Sequence, residues 1–323
     1  MNYSCKLLFY LFLFSIFSCQ QEEQEEKQPR PAIDPSKIKI DVEAGAIHTP
    51  DGVLIMYKKA GSGSETIVVP NLTYINNGLR ALEEDYSLIY YDARNRGRSQ
   101  TVMNGIQLKG GINNDVKDLE TLRQHFKLDR LNIIGHGHYG LVAALYGVQY
   151  PDKLGKVVML NPSPAPVDQD PGAPYTDKTT EDIEKGLSGL AEAKSNMKDL
   201  EYCERWWGIA KNRYIGDEFK SRAVDAQICK YPNEMPDRQM AYQQKYVNPS
   251  LEKLKEDGPN FRKLQSPVLI IWGEKDRLYG AKTGTIWKSL LPDASLTRLK
   301  DAGNMSWIEA PNEVTSAIKT FFK

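Results

Sequence analysis

The chain has 323 residues, 41% of them hydrophobic and 26% charged. That is enough for one large globular domain carrying an insertion, or for two smaller domains. Lys+Arg and Asp+Glu each number 42, so the formal net charge is zero and no broad field recruits nucleic acid or another polyanion.

Taken in chain order, Lys6 precedes the apolar run L-L-F-Y-L-F-L-F at residues 7–14, followed by S-I-F-S-C ending at Cys19. The run is too short to span a bilayer, so residues 1–18 read as an export signal. Ile16, Phe17, Ser18 and Cys19 resemble the lipobox of bacterial lipoproteins, which implies a lipid on Cys19 and a membrane anchor. An ordinary cleaved signal with an incidental cysteine is the alternative. Residues 19–36, beginning Q-Q-E-E-Q-E-E-K after the cysteine, are too polar to bury a core and read as a disordered acidic tether. Such acidic runs are similar to those of lipoproteins displayed on the surface of Gram-negative bacteria. The expected location is therefore the outer membrane, with the cell surface as one of the two faces open to it. Cys5 leaves with the signal, so Cys203 and Cys229 either pair in an oxidising compartment or remain two buried thiols.

Past the tether, I-K-I-D-V (residues 38–42) and V-L-I-M-Y (53–57) predict an opening strand pair. T-I-V-V (66–69) and S-L-I-Y-Y (87–91) are nearly continuous apolar runs, as expected of strands buried on both faces. N-D-V-K-D-L-E-T-L-R-Q-H-F (114–126) places Val116, Leu119, Leu122 and Phe126 on one helical stripe. Strand L-N-I-I, helix L-V-A-A-L-Y-G-V and strand K-V-V-M-L follow. This alternation predicts an α/β fold with a mostly parallel central sheet flanked by helices. Over residues 163–261 strand signals stop and charged helical stretches such as E-Y-C-E-R-W-W-G-I-A-K-N-R-Y take over, which reads as a helical cap inserted after the sixth strand. The sheet resumes with P-V-L-I-I-W-G-E-K-D (267–276) and A-S-L-T-R-L, and a last helix, P-N-E-V-T-S-A-I-K-T-F-F, closes the chain. The core thus comprises residues 37–162 and 262–323. There is no G-K-[ST] phosphate loop, no G-x-G-x-x-G after a first strand and no His/Cys metal spacing, so no cofactor and no metal is expected.

Four segments, Y-Y-D-A-R-N-R-G-R-S (90–99), I-I-G-H-G-H-Y-G (133–140), I-I-W-G-E-K-D (270–276) and D-A-G-N-M-S-W-I-E-A-P-N-E-V (301–314), together resemble the α/β-hydrolase superfamily, in its order and spacing. Within it, D-x-R-x-x-G-x-S and the aromatic cap are most similar to the proline iminopeptidase and aminopeptidase branch. The resemblance implies a nucleophile on a strand-to-helix elbow, G-x-S-x-G, a carboxylate after a later strand and a histidine near the C-terminus. Asp276 falls at the acid position. Gly137 stands where the serine would, Tyr139 replaces the second bracketing glycine, and Asn304 follows Gly303 where the histidine would be. A register shifted by one residue puts His138 at the elbow tip and regains Gly140, but turns the preceding glycine into His136. Gly137 is preferred, since the family's nucleophile lies three residues after the last strand apolar, here Ile134. The missing base survives either register, because the four histidines are His48, His125, His136 and His138. The family's His-Gly after the third strand is replaced by Pro70-Asn71, and proline has no N–H to offer an oxyanion.

Glycine has no atom with which to attack, and an amide is not a base. The expectation is a pseudo-hydrolase that binds a small molecule, peptide or partner protein beneath its cap. His138, Tyr139, Asn71, Trp206 and Trp207 are the candidate binding residues, with Asn304 and Asp276 as polar fixers. Tyr139 is expected to fill the vacated elbow, His136 to be structural, and Arg94 and Asp92 to lock the turn after their strand. Three alternatives stand beside this reading. One is an enzyme with non-serine chemistry that uses His138 and Asp276 as an acid/base pair; another is a degenerate aminopeptidase-like hydrolase. The third is a structural subunit whose pocket has been filled by Tyr139 and cap aromatics.

Overall fold

Period-two burial turns the apolar runs into a sheet covered on both sides. The computed structural model describes residues 42–323 apart from 76, 222, 223 and 225. The export signal, Cys19, the tether and the first residues of the expected opening strand lie outside them. Eight described strands form one sheet: β1 (Val42–His48), β2 (Leu54–Ala60), β3 (Thr66–Pro70), β4 (Ser87–Tyr91), β5 (Leu131–His136), β6 (Leu154–Leu160), β7 (Val268–Gly273) and β8 (Ala294–Leu299), in the order β1-β2-β4-β3-β5-β6-β7-β8. β2 runs antiparallel to both β1 and β4, and every other neighbouring pair is parallel. An opening strand pair is present: the described part of β1, from Val42, runs antiparallel to β2. Its sequence V-E-A-G-A-I-H lacks apolar alternation, because most of this edge strand faces solvent.

The helices of seven residues or more are α1 (Ile112–His125) and α2 (His138–Gln149) before the insertion, and α3 (Lys178–Ala193), α4 (Asp199–Tyr214), α5 (Pro236–Tyr242) and α6 (Asn248–Asp257) within it. α7 (Thr283–Leu290) and α8 (Pro311–Phe322) come after it. Ile133, Val157 and Ile270 face Val116, Leu119 and Val142 of α1 and α2. Their sequence neighbours Ile134, Val158 and Ile271 point the other way, onto Val314 and Ile318 of α8. Each such side chain removed from water contributes about 1.5–3 kcal/mol, and this two-sided demand is why the runs are apolar throughout rather than alternating.

Between β6 and β7 the described elements are helices and turns. Cys203 and Cys229 form a disulfide, S–S 2.10 Å, which settles the pairing that the sequence leaves open. It packs with Trp207 and Ile228 in a small core of the cap's own. Three buried side chains tie the cap to the sheet. Arg277, next to Asp276, donates to the carbonyls of Asn212 (3.0 Å) and Ile215 (2.6 Å) and pairs with Asp177 at 2.6 Å. Glu309 accepts from the backbone N–H of Asp217 at 2.8 Å. Glu234, from the cap, accepts from Gly97 N–H at 2.5 Å and from Arg96 Nε at 3.2 Å.

Candidate functional site

The strand-to-helix junction falls at Gly137, between the end of β5 and the start of α2, with φ 55° and ψ −117°. Backbone of this kind is strained for a side-chain-bearing residue by roughly 1–3 kcal/mol and nearly free for glycine. The neighbouring glycines serve packing. A Cβ on Gly135 would lie 2.4 Å from the Tyr139 carbonyl oxygen, and one on Gly140 would lie 2.9 Å from Pro162 Cβ. The tight approach of helix to strand therefore uses Gly135 and Gly140 together, which explains why each of the two registers considered from the sequence keeps half of the bracket.

What faces the junction is not Tyr139. That ring is buried, 4% exposed, within the core between sheet and α1/α2 and in the cavity wall. The group nearest a Cβ built on Gly137 is instead the Tyr279 hydroxyl, at 3.3 Å. Tyr279 lies just beyond Asp276, in the loop after β7. Burial raises its phenol pKa, so it stays a neutral hydroxyl.

Asp276 is 2% exposed and is not part of the cavity wall, which corrects its assignment as a polar fixer of ligand. Its Oδ2 accepts from Asn304 Nδ2 (2.8 Å) and Asn161 Nδ2 (2.9 Å), and its Oδ1 from the N–H groups of Leu278 (2.8 Å) and Tyr279 (3.1 Å). Burial holds the carboxyl pKa above its ordinary value, and these four donors offset only part of that rise. Asn304 continues the chain: its Oδ1 lies 2.7 Å from His136 Nε2. With Nδ2 committed to a carboxylate, Oδ1 must accept, so His136 carries its proton on Nε2. The His136 ring packs edge-on against Trp307 at 4.4 Å between centroids, and burial lowers its pKa to about 4. The result is a closed relay, His136 to Asn304 to Asp276, consistent with the structural role expected of His136.

His138 does not pair with Asp276. Its Nε2 lies 2.9 Å from Asp115 Oδ2, on the first turn of α1, so the expected His138/Asp276 pair gives way to His138/Asp115. The reason is directional: α2 starts at His138 and turns that side chain toward α1, whereas Asp276 is enclosed behind Asn304. Asp92 and Arg94 do lock their turn. Asp92 accepts from the Thr73 N–H (2.9 Å) and the Arg98 N–H (3.0 Å). Arg94 binds Asp118 (2.6 Å) and Asp51 (2.8 Å).

Beneath the cap lies an open cavity of about 750 Å³. The alternative of a pocket closed by Tyr139 and cap aromatics is thereby corrected. Asn71, Gly137, His138, Tyr139 and Asn304 all contribute to its wall. Trp206 and Trp207 do not, a further correction. Trp207 is 3% exposed beside the disulfide, with Trp206 packed edge-on against it, because the stripe of α4 that carries them faces the cap's own core. The sequence reading missed Asp115, Ser163, Tyr242 and Tyr279, which also line the cavity. Asp115 adjoins the apolar stripe of α1, and an acid there looks the same in sequence whether buried or solvated. Asn71 Oδ1, Ser163 Oγ and Tyr242 OH are buried there without a hydrogen-bond partner. Asn71 also holds a positive φ of 74°, directly after β3 ends at Pro70. Among the described residues no group of three or more His, Cys, Asp or Glu could hold a metal ion.

Comparison with known proteins places this geometry among hydrolases. The sequence pattern of the alpha/beta hydrolase fold family matches residues 71–311. An uncharacterized hydrolase of Bacillus subtilis (strain 168) is 22% identical over 85% of this chain and 96% of its own. The proline iminopeptidase of Heyndrickxia coagulans is 22% identical over 82% of this chain and 92% of its own. Two other relatives, from Rhizobium rhizogenes and Bacillus subtilis, align over only 42% of their own lengths. Among solved structures, an esterase from Exiguobacterium antarcticum superposes with a TM-score of 0.62 at 16% identity, over 86% of this chain and 99% of that one. A membrane phospholipase A superposes with a TM-score of 0.61 at 15% identity, over 87% of this chain and 86% of that one. With a family pattern spanning both the elbow and the loop that carries Asn304, on an eight-stranded sheet of matching architecture, this chain belongs to the alpha/beta hydrolase fold family.

Proposed function

We propose that this protein is a non-hydrolytic member of its family, held at the outer membrane by a lipid on Cys19, which binds a small molecule in the cavity beneath its cap. The observation that carries this reading is Gly137, a residue without a side-chain nucleophile at the strand-to-helix junction. Loss of either nucleophile or base from a serine-hydrolase triad costs on the order of 10⁶ in kcat. Here Asn304 occupies the base position, and its amide is already committed at both ends, to Asp276 and to His136. The Tyr279 hydroxyl that faces Gly137 gives no substitute nucleophile, because burial raises its pKa instead of lowering it. A lined, open cavity that persists in the absence of this machinery supports recognition as its use.

The test uses the full-length protein in detergent micelles, with a fluorophosphonate probe, p-nitrophenyl acetate and the p-nitroanilides of proline and alanine. Neither labelling nor release above buffer is expected; turnover at rates usual for the family sinks the reading. Cys19→Ser is expected to move the protein from the membrane fraction to the soluble one, and retention in the membrane removes the anchor.

A second reading rests on the 2.9 Å contact between His138 and Asp115 in the cavity wall. A histidine oriented by a carboxylate can act as general base without a serine. Turnover of any of these substrates that disappears in His138→Gln and depends on pH through a single ionisation would select it.

A further inference from the structure

We infer that the rim of the cavity formed by residues 98–109 and 236–246 docks onto an anionic lipid bilayer. The two segments run side by side. At one end Arg98 Nε donates to the Tyr231 hydroxyl at 3.1 Å, and Thr101 Oγ1 to Asn233 Oδ1 at 2.7 Å. At the other the Ile112 N–H donates to Ser250 Oγ at 3.1 Å, and a Cβ built on Gly105 would lie 3.4 Å from the Tyr246 hydroxyl. In sequence α5 and its Met240 fall between Asn233 and Tyr246, and Met240 lines the cavity. The paired segments therefore border its mouth.

The first support is apolar. Among the described residues five large apolar side chains are exposed, and three of them stand on these segments: Met103 at 83%, Ile106 at 85% and Met240 at 43%. A single exposed apolar residue is ordinary, but Met103 and Ile106 are nearly bare and only three residues apart. They are held out on ordered backbone: Asn104 Oδ1 accepts from the Ile106 N–H at 3.0 Å, and Asn95 Oδ1 from the Val102 N–H at 2.6 Å. Tyr246, half-buried with Lys245 over its ring, adds an amphipathic side chain of the kind that sits at headgroup level.

The second support is charge. Arg98, Lys109, Arg238 and Lys245 are all exposed, and among the described residues none of them enters an ion pair. The one acid of the two segments, Asp237, is paired with Lys194. Asp51, whose carbonyl Gln107 touches, is committed to Arg94, and Glu252 on α6 has Lys255 one turn on. An anionic bilayer meets both demands at once: apolar tips enter the headgroup–acyl boundary while the cations face lipid phosphates. A soluble polyanion would leave Met103 and Ile106 in water, and an apolar protein face would leave four cations without counter-charge. The choice of a bilayer also rests on the anchor at Cys19 proposed above. Fully extended at about 3.3 Å per residue, the stretch from Cys19 to Val42 reaches roughly 75 Å, which lets the mouth face the membrane that holds the chain.

The experiment reconstitutes the full-length protein into phosphatidylcholine vesicles, with or without about a third of phosphatidylglycerol. Gln244→Cys, exposed on the rim, carries an environment-sensitive nitrobenzoxadiazole label; Lys153→Cys, exposed just before β6 at the end of the sheet opposite Gly137, is the reference. The label at position 244 is expected to shift to the blue and brighten about twofold or more on the anionic vesicles only, and the label at 153 on neither. Met103→Asp/Ile106→Asp is expected to abolish the shift with an unchanged melting temperature, both side chains being nearly bare. Lys109→Gln/Lys245→Gln is expected to lower the docked-to-free ratio about 25-fold, roughly fivefold per cation. No shift at 244, an equal shift at 153, or a shift that either double variant leaves intact overturns the inference. So does a shift that heparin produces and vesicles do not, which assigns the rim to a polyanion. Wild type is the blank: with Cys203 and Cys229 bonded it takes up label only if Cys19 carries no lipid. Label on wild type sinks the anchor alone, and docking is then read by adding vesicles to the free protein in a Cys19→Ser background.

Discussion

Two polar regions that adjoin just past the end of β6, at Asn161 and Ser163, are finished in different ways. On the side of the loops after β7 and β8, His136, Asn304, Asn161 and Asp276 satisfy one another completely, with backbone N–H groups closing the remaining valences. On the cap side, Asn71 Oδ1, Ser163 Oγ and Tyr242 OH are equally enclosed, yet have no hydrogen-bond partner. Folding alone favours the first arrangement and penalises the second, since an unmade buried hydrogen bond costs more than a made one returns. The difference teaches that the family's acid is held wholly by donors of the protein itself, whereas the cap side carries a folding cost that its own residues do not offset.

The sharpest way to break this contrast is Asn304→Leu. It removes the donor from Asp276 and the acceptor from His136 in one step. The bond to the Asp276 carboxylate contributes about 1.5–3 kcal/mol and the neutral bond to His136 about 0.5–1.5 kcal/mol, so a loss of roughly 2–4 kcal/mol is expected in urea unfolding. A loss below about 1 kcal/mol would mean that the relay is decorative.

The next test uses pH. His136 has its pKa lowered from 6.5 to about 4 in the folded state, so between those values the unfolded chain binds the extra proton. Its contribution to stability is therefore complete above pH 6.5 and is lost as pH falls toward 4, amounting to roughly 3 kcal/mol at 1.36 kcal/mol per unit. Asp118, whose carboxyl is pushed up to about 6 by burial, acts in the opposite sense over nearly the same interval. The wild-type curve alone would blur the two, so the expected observation is a difference: His136→Gln loses less stability than wild type between pH 7 and 4.5. Parallel curves would place the titration elsewhere.

The smallest expected effect belongs to Gly137→Ala. With φ at 55° and ψ at −117°, alanine there is expected to cost about 1–3 kcal/mol, measured by the melting temperature. A neutral outcome would show that the elbow has relaxed and that glycine is not what its backbone selects. Tyr242→Phe is the counterpart from the cap side: it removes a buried hydroxyl that has no partner, so the melting temperature is expected to hold or rise, and a fall would mean that the hydroxyl is bonded after all.

Most of the sheet was legible because its strands are buried on both faces. T-I-V-V, S-L-I-Y-Y and L-I-I-W have no polar alternation to be misread. The strand over residues 42–48 was not legible, because an exposed edge strand needs no apolar alternation and V-E-A-G-A-I-H shows none. At the site, Gly137 and Asn304 were readable because they interrupt a pattern of known spacing. Asp115 was not, because its partnership with His138 depends on where α1 and α2 cross, a fact of packing that no local spacing encodes. Trp206 and Trp207 could be read as cap core or as binding wall for a related reason, and the structure places them in the cap core. An amphipathic helix declares that it has an apolar face but not whether that face meets a ligand or its own disulfide.

The three buried anchors between cap and sheet carry a consequence for kinetics. Arg277, Glu309 and Glu234 each cross from one body to the other at a different point. A roof pinned at three corners by buried charged groups resists swinging, so a ligand of the proposed kind would meet a chamber that needs no ordering on arrival, to the benefit of its affinity.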